Sequence, residues 1–252
     1  MPGTQVVGRV VAVLHAVSRA MPAGAGTSEV ARSAALARPT AHRLLASLAA
    51  QGFIDRDARS GHWLLGPEIY LMGAVAAERY DVSELAREHV AALAEATGES
   101  AFLSARRGGE TVCLLRTDGS FPIRSFVLYE GKRFPLGVAS AGLAILSFLP
   151  EDARERYLEQ ARLQDEYGPS HSAAALRERI DETRRLGYAV NPGLVVEGSW
   201  GMGAAVFGPS GQPSWALSLT GIETRFSADR RPELGRLLLE HAHRLSQRLA
   251  GR

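Results

Sequence analysis

The stretch from Thr27 to Trp63 constrains this chain more than any other. It holds Thr27-Ser28-Glu29-Val30-Ala31-Arg32-Ser33, then Leu36-Ala37-Arg38-Pro39-Thr40-Ala41-His42-Arg43-Leu44-Leu45-Ala46-Ser47-Leu48, then Gly52-Phe53-Ile54-Asp55-Arg56 and Ser60-Gly61-His62-Trp63. Ser28, or Thr27 beside it, is a natural N-cap for a short helix from Glu29 to Ser33, since a side-chain oxygen there satisfies a free N–H of the first turn. Pro39 is tolerated where the next helix begins, because its missing N–H would have no partner there. In that second helix Ala41, Leu44, Leu45 and Leu48 share one face, and Arg43 points away from it with Thr40, His42 and Ser47 to the sides. Gly52 stops the helix. Phe53-Ile54 begins a strand, and a polar turn from Arg56 to Gly61 leads back through His62-Trp63-Leu64-Leu65. Two short helices, a tight connection and a basic hairpin make the outline of a winged helix-turn-helix.

The chemistry of this segment suits DNA. Arg43 can grip guanine bidentately, while Thr40, His42 and Ser47 can reach bases or phosphates. An ordinary amphipathic surface helix with a solvated arginine has the same periodicity, and the basic hairpin is what favours the DNA reading. Arg56, Arg59 and His62 suit a phosphate backbone or a minor groove, with Asp55 and Asp57 cancelling part of the charge. Ser28 and Arg38 complete the candidate set. Eight arginines face five acids up to Tyr80, against 21 basic and 22 acidic residues after it, so the positive excess sits with the helix-turn-helix.

The 252 residues allow one large domain or a small one plus a medium one, and a hydrophobic fraction of 46% supplies a core without disulfides or metal. The single cysteine, Cys113, fits a reducing compartment. No apolar run reaches membrane-spanning length and the N-terminus lacks signal-peptide order, so the expectation is a soluble cytoplasmic protein.

Along the chain, Val6, Val7, Val10, Val11, Leu14 and Val17 mark one buried stripe of a helix from Val6 to Ala20. Pro67 to Arg79 reads as a helix leaving the first domain, and Val82 to Thr97 as another that stops at Gly98. From Ser100 the period changes. Ser100 to Arg106, Thr111 to Thr117 and Ile123 to Glu130 read as antiparallel strands separated by glycine-bearing turns. An apolar helix ending near Pro150 follows, then charged helices from Glu151 to Leu163 and Ala173 to Leu186. Strands resume at Tyr188 to Asn191, Gly198 to Phe207 and Trp215 to Thr220, before a last helix from about Asp229 to Leu249. The class is α+β, with one antiparallel sheet flanked by helices.

Thr40-Ala41-His42-Arg43-Leu44-Leu45-Ala46-Ser47-Leu48, Gly52-Phe53-Ile54-Asp55-Arg56 and the exit Leu65-Gly66-Pro67 resemble the IclR family of bacterial transcriptional regulators. Pro135-Leu136 with Ala139 to Gly142, Gly187-Tyr188-Ala189-Val190 and Ala216-Leu217-Ser218-Leu219-Thr220-Gly221 are similar to that family's second-half motifs, in the family's order. The resemblance implies a winged helix-turn-helix over 1–66, a linker helix over 67–80, and a GAF-like effector-binding and oligomerisation domain over 81–252. It implies a homodimer or dimer of dimers on a palindromic operator in double-stranded DNA. It further implies a small-molecule effector near Leu136, Ser140, Ala141, Asn191, Gly201, Met202, Ser218 and Thr220, control of a catabolic operon, and a population shift through the linker helix.

The residues themselves carry little sign of catalysis. No two of the seven histidines form a helical i, i+4 metal pair, and no cofactor or metal is expected. Cys113 reads as a small buried hydrophobe. Gly198 to Gly203 lacks the following helix that a phosphate loop requires. Ser218 and Thr220 alternate onto one strand face, which suits two hydroxyls aimed at one ligand, although the same hydroxyls could satisfy backbone groups at a sheet end. Two departures from the family pattern stand out. Gly201 replaces a common cysteine, and Asn191 replaces a commonly acidic residue. These changes, with Trp200, Phe126 and Trp215 as candidate aromatic walls, favour an effector larger or more aromatic than a two- or three-carbon keto acid, its carboxylate near Arg124. The alternative reading is a metabolite-binding or enzymatic domain with a vestigial DNA module.

Overall fold

The computed structural model describes residues 2–79 and 82–251. The chain divides into two compact units, 1–81 and 82–252; Tyr80, the expected boundary, lies outside the described residues. In the first unit, helices α1 (Pro2–Arg19), α2 (Thr27–Ser33) and α3 (Arg38–Ala50) precede a hairpin of β1 (Ile54–Arg56) and β2 (Trp63–Leu65), and α4 (Pro67–Arg79) follows. The hairpin pairs Ile54 with Leu65 and Arg56 with Trp63. Val13, Ala16, Val17, Val30, Leu45, Ile54 and Trp63 form the core.

Two local expectations need correction. The buried stripe of α1 runs through Val13, Ala16 and Val17, while Val6, Val7 and Val11 are exposed; Val6 continues the line of Val13 outside the core, and Val7 and Val11 lie on another side of the helix. Helix α2 begins at Thr27 behind Gly26 and has no side-chain cap. Thr27 Oγ1 instead accepts the indole N–H of Trp63 at 2.9 Å, which fastens the hairpin to the helix-turn-helix. At the other end of α2 the Leu36 N–H donates to the Ala31 carbonyl at 2.8 Å. The closing residue, Ala35, has φ 52, a left-handed position that usually calls for glycine.

The second unit opens with α5 (Val82–Thr97), β3 (Ser100–Arg107), β4 (Glu110–Thr117) and β5 (Arg133–Pro135). Four helices follow: α6 (Ser140–Ser147), α7 (Glu151–Gln160), α8 (Leu163–Tyr167) and α9 (Ala173–Leu186). Then come β6 (Ala189–Pro192), β7 (Ser199–Phe207), β8 (Pro213–Ile222) and α10 (Arg231–Ala250). The strands form one antiparallel sheet in the order β5-β4-β3-β8-β7-β6. Strand alternation assigns side chains to its two faces. Leu103, Met202, Leu217 and Leu219 pack with Leu93 of α5 and Leu238 of α10. Phe102, Ala205 and Ala216 pack on the other face with Ile145 of α6, Leu158 of α7 and Leu176 of α9.

Residues 123–130 are not the strand that their apolar content suggested. The Gly131 N–H donates to the Cys113 carbonyl, and the Cys113 N–H to the Lys132 carbonyl. The outer edge of β4 is therefore taken by the chain just after Gly131, which itself turns at φ 82. The expected helix from Glu151 to Leu163 is also two pieces, since Ala161 is extended at ψ 118.

Candidate functional site

In the first unit, α3 presents one face outward. Ala41 and Leu45 are buried while Arg38, His42, Arg43 and Ser47 are exposed; Thr40 is half-buried. Thr27, Arg38, Pro39, His42 and Arg43 together line a shallow depression at the start of the helix. Ser28 is exposed on α2. The hairpin residues divide. Arg59 is exposed at the turn, held by Asp57, whose Oδ1 accepts from the Arg59 and Ser60 N–H groups and from the Ser60 hydroxyl. Those hydrogen bonds, Ser60's first, hold the Asp57 carboxyl below the usual range. Arg56 folds back: its Nε donates to the Gly61 carbonyl and its guanidinium lies 5.4 Å from the Trp63 ring centre. The His62 Nδ1 is 3.0 Å from the Ala23 carbonyl, which turns that ring toward the α1–α2 connection and away from the tip.

In the second unit, a cavity of about 30 Å³ lies between the sheet and the first turn of α6. Ser140, Ala141, Asn191, Gly201, Ser218 and Thr220 line it, and sequence reasoning had named all six. Helix α6 can approach β7 this closely because the strand offers glycine. A Cβ on Gly201 would sit 3.1 Å from the Ser140 hydroxyl, and one on Gly203 3.0 Å from the Ser140 carbonyl carbon. Ser218 and Thr220 are buried, and neither hydroxyl has a hydrogen-bond partner among the described residues. Asn191 is different. Its Nδ2 donates to the Val138 carbonyl at 2.6 Å and its Oδ1 accepts the Leu194 N–H at 3.0 Å, so it ties the α6 approach to the 193–198 loop.

Three expected residues lie elsewhere. Met202 follows Gly201 and points to the opposite sheet face, into the α5–α10 core. Leu136 is buried in the core beside α6, and its carbonyl accepts the Tyr157 hydroxyl. Arg124 is committed to Asp118, with Nη1 2.9 Å from Oδ2. Burial pushes the Asp118 carboxyl up, but Arg116 and Arg124 outweigh it and hold it below the ordinary value. Of the suggested aromatic walls, Trp200 borders the cavity, but its ring packs against the α5–α10 core under Arg231. Phe126 is 72% exposed with the Arg116 guanidinium over its ring, and Trp215 packs against the α5–α10 core.

Sequence reasoning missed Ser104, Thr111, Val127, Leu128, Phe134, Ala139, Val195 and Ser199, which also line the cavity. Ser104 carried a usable signal, since it shares a strand face with Phe102. Val127, Leu128 and Val195 come from irregular loops, and Ser125 of the first is tied to Ser199, at the start of β7, by a 2.6 Å hydroxyl pair. The cavity has room for about one or two waters, whereas an apolar cavity that takes benzene is about 150 Å³. Burial pushes the Cys113 thiol up to about 12, which keeps it protonated and unreactive. Among the described residues no group of three or more His, Cys, Asp or Glu is placed to hold a metal ion, and no helix is long and apolar enough to cross a membrane.

Two family models match the chain. One, for the bacterial transcriptional regulator IclR C-terminal region, covers residues 74–247, and one for the IclR helix-turn-helix domain covers residues 6–58. The chain is 29% identical over 223 residues to the HTH-type transcriptional regulator KipR of Bacillus subtilis, covering 88% of both chains. It is 26% identical over 249 residues to the HTH-type transcriptional repressor AllR of Escherichia coli, covering 98% of this chain and 91% of that one. Its fold matches the IclR of Thermotoga maritima with a TM-score of 0.77 at 22% identity, over 98% of this chain and 99% of that one. It also matches an IclR homolog from Microbacterium hydrocarbonoxydans, solved in complex with 4-hydroxybenzoate, with a TM-score of 0.78 at 22% identity over the same shares.

Proposed function

The chain belongs to the IclR family of bacterial transcriptional regulators, and from that membership we propose that a small organic acid, bound in the 82–252 unit, alters its grip on an operator. The observation that carries the ligand half is the pair of buried, unpartnered hydroxyls of Ser218 and Thr220 facing the first turn of α6. A buried hydroxyl without a partner is costly, and a ligand oxygen would complete both. The first-turn N–H groups of α6 favour the negative end of such a ligand. Aromatic acids remain the class of choice, with 4-hydroxybenzoate as the first probe; a ring enters once Val127, Leu128 and Val195 move aside. Control of a catabolic operon follows from an effector of that kind.

The DNA half rests on the exposed row Arg38, His42, Arg43 and Ser47, with Arg59 as the wing's contact to the backbone and Arg56 and His62 as its internal supports. A homodimer, or a dimer of dimers, would place two such rows on half-sites about one helical turn, ~10 bp, or a multiple apart. Exposed apolar side chains on α1 (Val6, Val7, Val11) and α4 (Tyr70, Leu71, Met72, Val75) supply surface for self-association. The protein would act in the cytoplasm as a binding protein rather than an enzyme. The test is a titration of wild type and Arg43→Ala against the gene's own upstream intergenic DNA at fixed salt. Loss of a bidentate base contact weakens binding by ~1–3 kcal/mol; an unchanged affinity would remove Arg43 from base recognition.

A further inference from the structure

We propose that the outer edge of the sheet carries a second ligand site, separate from the cavity under α6, which takes a small organic anion between Arg179 and Arg231. The site is a groove of about 370 Å³ between α9, the edge strand β6 and the start of α10. Arg179 and Arg231 line it together with Glu182, Tyr188, Val190 and Pro192. Its volume exceeds the 30 Å³ of the first cavity more than tenfold, and because the unpartnered guanidinium nitrogens are themselves buried, a ligand in the groove meets them through a small swing of the two arginine side chains.

The hydrogen-bond inventory of the two arginines is what points to an anion. The Nε and Nη2 of Arg179 are buried with no partner among the described residues, as is the Nε of Arg231. Arg179 has one long hydrogen bond, from Nη1 to the Ser170 carbonyl at 3.5 Å. Arg231 lies over the Trp200 ring, 5.5 Å from its centre, a contact that brings it no anionic partner. Glu182 neutralises neither, because it is paired with Arg185 on its own helix at 2.6 Å. Burial without a counter-charge pulls the Arg179 guanidinium down to about 10. Buried donors left in this condition are rare in folded proteins and call for an acceptor. A carboxylate or phosphate fits, since its oxygens match the donor fork of a guanidinium. Helix α10 adds to the field, beginning beside the groove with no side-chain cap. Tyr188, Val190 and Pro192 give the groove an apolar wall, which selects an organic anion over a bare ion.

Strand β6 divides the two sites. Asn191 lines the first cavity, while its neighbours Val190 and Pro192 line the groove. Trp200, paired across the ladder with Pro192, lines the cavity and carries Arg231 on its ring.

The full-length protein is titrated with inorganic phosphate and, separately, with benzoate. Binding is read by calorimetry and from the Nε–H NMR resonances of Arg179 and Arg231, assigned with Arg179→Gln and Arg231→Gln. Saturable movement of both resonances in the wild type is expected, with benzoate the tighter probe. Each glutamine variant should lose at least about tenfold in affinity, as for a charge-assisted hydrogen bond. The double variant Ser218→Ala/Thr220→Val should keep the groove affinity within about twofold, because those hydroxyls lie across β6. Resonances that stay still at about 10 mM of either probe, weaker than any working metabolite affinity, would overturn the proposal. So would binding lost in the Ser218/Thr220 double variant and kept in the arginine variants. A change in the sedimentation of ligand-free Arg231→Gln with no change in probe affinity would assign the guanidinium groups to an acidic side chain of a second copy, and would also refute the site.

Discussion

Replacing Thr220 by valine separates stability from ligand binding at a single atom. The residue is 9% exposed and its hydroxyl has no partner among the described residues, so valine keeps the shape and deletes an unmet polar group. An unsatisfied buried hydroxyl costs about 1–3 kcal/mol. A water in the 30 Å³ cavity recovers part of that, and the net gain expected for Thr220→Val in the ligand-free protein is about 0.5–2 kcal/mol. Ser218→Ala follows the same logic. For a unit the size of 82–252, each kcal/mol raises the melting temperature by about 2–4 °C. The assay is thermal or urea unfolding of the ligand-free protein, followed with the same samples by titration with 4-hydroxybenzoate. The valine variant should be more stable and bind more weakly. A loss of more than about 1 kcal/mol in the ligand-free state would mean that the hydroxyl already makes a net hydrogen bond, which is the size of one such bond, and the argument for a ligand-completed pair would fail.

Three further outcomes follow from the packing. Glu99 is buried and accepts from Arg225 and Arg230, both at 2.7 Å. Glu99→Ala leaves two cations facing one another and should cost about 2–4 kcal/mol, below the fully buried figure because both arginines reach solvent; chemical denaturation measures it. Gly203→Ala places a Cβ 3.0 Å from Ser140 backbone atoms; overpacking there should cost about 1–3 kcal/mol and lower ligand affinity by moving the first turn of α6. His89 and His241 meet Nδ1 to Nδ1 at 3.1 Å between α5 and α10. Burial first, then the neighbouring positive charge of Arg244 for His89 and of its partner ring for His241, depresses both below 6.5, with Glu240 acting in the opposite direction on His241. The unfolded chain therefore binds protons that the folded chain refuses, so stability present above about pH 6.5 declines as pH falls toward the folded values. A pH series of unfolding free energies should show that slope, and His241→Gln should flatten it.

Much of the architecture was legible because its periods are strong. Helix α5, the β3–β4 and β7–β8 hairpins and α9 follow from spacing and glycine turns. Segment 123–130 was misread because apolar content says nothing about which chain takes an edge. Gly131 hands the edge of β4 to 133–135, and Val127 and Leu128 line a cavity instead. The N-cap expected of Thr27 or Ser28 was an ordinary inference, overtaken by a partner 36 residues away, Trp63. Within the cavity under α6, parity alone put Ser218 and Thr220 on one face, and the same parity argument excludes Met202 once Gly201 is assigned inward. Ser104 was legible by the same parity through Phe102, whereas Thr111 and Ser199 required strand register between segments far apart in sequence, which one sequence does not fix. Arg124 was placed by its charge, and Asp118 six residues earlier claimed it.

Fluorescence anisotropy of labelled upstream intergenic DNA at fixed salt, with and without a saturating aromatic acid, for wild type and for Ser218→Ala/Thr220→Val, tests most directly whether the cavity under α6 is coupled to DNA recognition. The account predicts that the acid shifts wild-type operator affinity at least about fivefold, the lower end of an allosteric coupling, and leaves the double variant unshifted while its ligand-free DNA affinity stays at the wild-type value. An equal shift in both proteins would contradict it.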